Sequence, residues 1–185
     1  MQAFEMLVAE ILEAEGYWVR RSFKIGLTKE EKVLIGRPSS PRWEIDLVAF
    51  KPSHTVLAVE CKSFLDSPGV TLSDVQGGRY ATRYKLFTEP TLRKVVLEAL
   101  ARDLVQRGLC IEHPEVRLAL AAGKVRGVAQ ELRDHFDQQG WILFDREWLV
   151  QKLRALADGG YENSPALMAA KLLLRGTIEP QQRAT

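Results

Sequence analysis

The sequence predicts an α/β fold, a mixed central sheet flanked by helices with a helical C-terminal extension. Three observations carry that prediction. Apolar residues recur at helical spacing in several segments. Two adjacent runs, 42–50 (RWEIDLVAF) and 55–62 (TVLAVECK), read as strands joined by the turn-forming KPSH. Beyond them helical and strand-like segments alternate, the order of a sheet covered by helices.

The elements follow in order. Residues 2 to about 15 form a helix, because Phe4, Leu7, Val8, Ile11 and Leu12 fall on one face and Gly16 stops it. Residues 17–25 alternate and are rich in aromatic and β-branched side chains, so they form a strand. Residues 26–41 carry glycine, proline and serine around a short apolar run and read as a long loop or irregular hairpin. After the two central strands, a polar link leads to a helix over about 73–87. Gly77 and Gly78 weaken it by roughly 1 kcal/mol each and signal a kink or a close approach. Pro90 opens a further helix to about 107. A strand is expected near 116–121, a helix over 127–138 and a short strand over 141–144. Two more helices are expected, over 146–157 and 165–174, and the last ten residues read as frayed.

With 185 residues, 46% hydrophobic and 27% charged, the chain can bury a real core. A net charge of +2 is too mild to name a nucleic-acid partner. Basic clusters say more: Arg20, Arg21 and Lys24; Arg79, Arg83 and Lys85; Arg93 and Lys94. Each is ordinary solvated surface unless it flanks a site that acts on phosphates. Cys61 and Cys110 form no CxxC pair, which argues against a disulfide framework or structural zinc. The opening seventeen residues hold four glutamates, unlike a basic-then-apolar leader, and no apolar run is long enough to span a membrane. The expected location is the cytoplasm, with no membrane partner.

The informative segment is EIDLVAFKPSHTVLAVECK. Buried strands reject charge unless it is paired or binds metal, yet Asp46 interrupts an apolar strand and Glu60 and Lys62 end another. Alternation puts Glu60 and Lys62 on one face. It puts Glu44 and Asp46 on one face too, opposite Trp43, Ile45 and Leu47. In a hairpin Asp46 approaches Glu60 and Lys62. Two carboxylates and a lysine suit phosphodiester cleavage: hard oxygens hold Mg²⁺, and a lysine positions water or phosphate. The plain alternative is an exposed strand end and an ordinary salt bridge.

On these residues the chain resembles the PD-(D/E)XK nuclease superfamily, with Ile45 where the motif has proline. The resemblance implies a restriction-endonuclease-like core of helix, three-strand meander, helix and strand. It makes Asp46 and Glu60 the metal-binding acids and Lys62 the catalytic lysine. It implies that the Cys61 main-chain carbonyl joins the metal. The first helix resembles that of Holliday-junction resolvases and Mrr-like nucleases, where an early glutamate reaches the metal; Glu5 fits that position. Helix-dipole stabilisation explains Glu5 equally well. Gln76-Gly-Gly-Arg-Tyr80 resembles the QxxxY signature of RecB-like nucleases. Four residues apart, Gln76 and Tyr80 would share a helix face, Gln76 serving catalysis and Tyr80, with Arg79 and Arg83, the nucleic acid.

The resemblance implies an Mg²⁺-dependent deoxyribonuclease, endonuclease ahead of exonuclease, with Mn²⁺ as substitute. DNA is the expected partner, a homodimer is plausible, and no small-molecule cofactor is expected. The alternative is an inactive module of the same fold that binds DNA or a protein. Residues 1–122 form the core, with an inserted helix near 90–107. Residues 123–175 form an α/β extension on the same domain, and 176–185 a tail. His54, His113 and His135 lack zinc spacing, and Ser63 lacks a histidine base.

Overall fold

The computed structural model describes residues 3–52, 55–159 and 164–175. Helix α1 (Ala3–Ala14) leads into β1 (Trp18–Ile25), a short α2 (Lys29–Leu34), β2 (Trp43–Phe50) and β3 (Val56–Lys62). Two four-residue helices follow, α3 (Leu72–Val75) and α4 (Lys85–Thr88), then α5 (Pro90–Gln106) and β4 (Val116–Ala122). The chain continues through α6 (Ala129–Gln138), β5 (Ile142–Phe144), α7 (Arg146–Asp158) and α8 (Pro165–Arg175).

The five strands form one mixed sheet in the order β1-β2-β3-β4-β5. β1, β2 and β3 run antiparallel; β3, β4 and β5 run parallel. The fold is therefore α/β with a mixed sheet, as the alternation of segments predicts. One face packs Ala58, Leu118 and Leu120 against Val96, Leu100 and Phe136 of α5 and α6. The other packs Leu47, Val59 and Ala121 against Val8, Leu12 and Leu149 of α1 and α7. The central strands β2, β3 and β4 are largely apolar on both faces because helices cover both, whereas the edge strand β1 carries exposed Arg20, Arg21 and Lys24. Among the described residues no helix is long and apolar enough to cross a membrane.

Three expectations need correction. The stretch 26–41 is not all loop. Thr28 caps α2 through the Glu31 N–H, while the Glu31 carboxylate takes the Thr28 N–H. That reciprocal box was readable as T-x-x-E. The second correction is the helix over 73–87, which is broken after Val75. Gly77 sits at φ +103°, and a Cβ on Gly78 would lie 2.5 Å from Ser73 Oγ and 2.7 Å from Ser73 O. The two glycines thus end the helix rather than weaken it. The third concerns the pleat of β2 and belongs with the site below. Of the turn KPSH, Ser53 and His54 fall outside the described residues, as does the tail 176–185.

Candidate active site

β2 and β3 part company where the acidic residues stand. Their ladder runs Ala49↔Leu57, Val48↔Ala58, Leu47↔Val59 and stops. The next opposed pair would be Asp46 and Glu60. There a side chain replaces the backbone: the Cys61 N–H donates to Asp46 Oδ2 at 2.7 Å. In a strand, the N–H and C=O of one residue point to the same side. The Cys61 carbonyl therefore also faces the opening between β2 and β3.

Asp46 reaches that position because the pleat fails on two strands at once. The β1–β2 ladder pairs Arg21↔Leu47 and Phe23↔Ile45 and omits Ser22 opposite Asp46. Ser22 has φ +49°, a left-handed conformation that L-residues avoid. Across this break the side chains change faces: Ile45 and Phe23 join one core cluster, Leu47 and Val19 the other. Strict alternation set Trp43, Ile45 and Leu47 together, and the structure contradicts it. The break frees Asp46 from either core and turns its carboxylate to β3.

On β3, Glu60 and Lys62 share the expected face, with Lys62 Nζ 3.5 Å from Glu60 Oε2, a loose contact. Both are half-buried, with side chains 17% and 21% exposed. Burial pushes the Glu60 carboxyl up to about 7; the charges of Asp46 and Glu5 push the same way, and Lys62 only partly opposes them. Burial chiefly, then the same three carboxylates, also push the Cys61 thiol up, so that it stays neutral. Glu5, in the first turn of α1, is thus near enough for its charge to be felt at both groups.

This donor set fits a hard divalent cation. Among the described residues no three His, Cys, Asp or Glu side chains gather into a metal-holding group. Mg²⁺ needs no such cage, since it binds through one or two carboxylates and keeps its waters. Asp46, Glu60 and the Cys61 carbonyl meet that need. A cation beside them would offset the cost of a buried Glu60 charge, which burial chiefly raises and Asp46 and Glu5 add to.

The Gln76–Tyr80 pair is not on one helix face. Gln76 is the exposed C-cap of α3, and Tyr80 lies past the glycine turn, 39% exposed. What orders this loop is Asp74, a buried carboxylate the sequence reading missed. It accepts the Thr71 hydroxyl at 2.7 Å and the Tyr80 N–H at 3.1 Å. The Tyr80 ring carries Arg79 at 5.3 Å and Arg83 at 4.7 Å. Arg83 also lies 5.9 Å from the ring of Phe64, two residues past Lys62 and itself at φ +44°. The three expected nucleic-acid residues therefore form one basic-aromatic cluster, tied to the loop that leaves β3.

Gly123 was also missed. It follows β4 and donates its N–H to the Lys62 carbonyl at 3.0 Å. A Cβ there would lie 2.5 Å from the Ser63 carbonyl oxygen and 3.2 Å from the Phe4 ring. Gly123→Ala is expected to cost about 1–3 kcal/mol, because backbone must move. Urea unfolding of the variant measures this; an unchanged midpoint would mean the approach is looser than described.

No protein-family model, curated protein or solved structure matches this chain.

Proposed function

We infer that the protein is a metal-dependent nuclease of the PD-(D/E)XK type that hydrolyses DNA phosphodiester bonds. The observation that carries this reading is the meeting of Asp46, Glu60 and Lys62 where β2 and β3 separate. Element order supports it: a helix, an antiparallel three-strand meander, helices, then a strand parallel to the third. So does backbone strain. Among the described residues the two non-glycine residues at positive φ are Ser22, opposite Asp46, and Phe64, just past Lys62. Strained conformations persist where surrounding structure holds them, and they concentrate at functional sites.

In this reading Asp46, Glu60 and the Cys61 carbonyl hold Mg²⁺ or Mn²⁺. The ion supplies Lewis-acid polarisation of the phosphate and neutralises developing charge. The protein's own groups do the rest. The Cys61 N–H fixes the Asp46 carboxylate. Lys62 orients the attacking water or holds a phosphate oxygen. Arg79, Tyr80 and Arg83 meet the strand beside the scissile bond. Glu5 and Gln76 remain supporting candidates, Glu5 through its field and Gln76 only by its place on the loop.

The test is purified protein with Mg²⁺ and then Mn²⁺ against labelled duplex, single strand, flap, four-way junction and RNA. Cleavage by wild type and none by Asp46→Asn is expected. Intact protein that cuts nothing with either metal would move the reading to a binding module.

A further inference from the structure

The edge that bears Lys62 continues into a surface the acidic site does not use. β3, β4 and β5 are parallel and in register, Lys62 opposite Ala122 and Ala121 opposite Phe144. Their C-terminal ends stand side by side, about 4.8 Å per strand. Lys62 ends β3, Lys124 lies two residues past β4, and Arg146 two residues past β5. Each strand thus delivers one cation to the same edge.

Between the β4–α6 connection and α7 lies an open cavity of about 930 Å³, lined in part by Lys124, Arg133, Asp145, Arg146, Glu147 and Arg154. Arg133 pairs with both Asp145 and Glu147, which fixes both acids but leaves one carboxylate charge over. Lys124, Arg146 and Arg154 are exposed and have no acidic partner among the described residues. The lining keeps a net charge of +2, with three cations outside any ion pair, and so forms a receptor for a polyanion.

We propose that this cavity is a phosphate-backbone subsite, in which Lys124, Arg146 and Arg154 hold the nucleic-acid strand a few nucleotides from the scissile bond. The placement of that bond rests on the nuclease reading above. From β3 to β5 is about 10 Å, a distance that about three nucleotides cover at about 3.4 Å rise each. The C-terminal extension then serves to grip substrate.

The test is binding by the full chain in chelator, where no cutting occurs, to fluorescent duplex and single-stranded DNA over a range of salt. Triple replacement of Lys124, Arg146 and Arg154 by alanine should weaken binding at least about tenfold. It should also reduce the slope of log affinity against log salt by about 2–3, near one per lost phosphate contact. Replacing Arg20 and Lys24, exposed on the β1 edge, should leave the slope unchanged. Unchanged binding in the triple variant, or a loss with no change in slope, overturns the subsite. So does wild type that binds anionic phospholipid vesicles but neither DNA. The two readings fail separately. A protein that binds through these residues but never cuts keeps the subsite and loses the nuclease. One that cuts, yet ignores the three replacements, does the reverse.

Discussion

Asp46→Asn is expected to lower cleavage by about a thousandfold or more while leaving the fold close to wild type. The reason lies in the two jobs of one side chain. Its Oδ2 accepts the Cys61 N–H where the β2–β3 ladder has ended. Its charge, beside that of Glu60, is what a divalent cation would use. Asparagine keeps a carbonyl oxygen for the N–H and removes the charge. A thousandfold loss corresponds to about 4 kcal/mol of transition-state stabilisation, the several kcal/mol a metal supplies. Asp46→Ala loses both jobs, so it should lose cleavage and also about 1–3 kcal/mol of stability, the cost of an unsatisfied part-buried donor. Lys62→Ala should lose cleavage too. Single-turnover rates and urea midpoints on the three variants separate these effects. Wild-type rates in Asp46→Asn and Lys62→Ala would remove the catalytic assignment.

Glu60→Gln should abolish cleavage and stabilise the metal-free protein at alkaline pH. The folded carboxyl is raised from the ordinary 4.5 to about 7, by burial first. Below pH 4.5 it is protonated whether folded or unfolded. Between 4.5 and about 7 the folded protein keeps a proton that the unfolded chain has lost, so stability falls as pH rises. Above 7 the buried charge is only partly compensated by Lys62, a loss of up to roughly 3 kcal/mol. Glutamine carries no such charge. In chelator the variant should therefore exceed wild type by up to roughly 3 kcal/mol at pH 8, with the gap closing toward pH 4.5. Mg²⁺ should raise the wild-type melting temperature at pH 8 and leave Glu60→Gln unmoved. A gap that stays constant across pH would mean Glu60 is solvated, and would undercut the buried, acidic setting that the metal reading relies on.

Much of this was legible in residue order. The amphipathic spacing of Phe4, Val8, Ile11 and Leu12 placed α1, and all four are buried. The paired strands at 43–50 and 56–62 were visible as apolar runs, and their charged residues marked the site. The loop after β3 was harder. Gln76 and Tyr80 have helical spacing, but spacing is silent on whether a helix survives Gly77 and Gly78. Asp74, which takes the Tyr80 N–H, reads in sequence as one more polar residue of the expected helix.

Outside 26–41 and 73–87, the amino-acid order by itself determined which segments are helix and strand, because that depends on local periodicity and on where apolar side chains recur. It also determined which polar residues stand out, because charge within an apolar strand demands a partner. Only the tertiary structure decided how those residues meet. The shared pleat break at Ser22 and Asp46, the end of the β2–β3 ladder, and the parallel register that brings Lys62, Lys124 and Arg146 to one edge join distant parts of the chain. Such contacts depend on strand pairing and core packing, which no local spacing encodes.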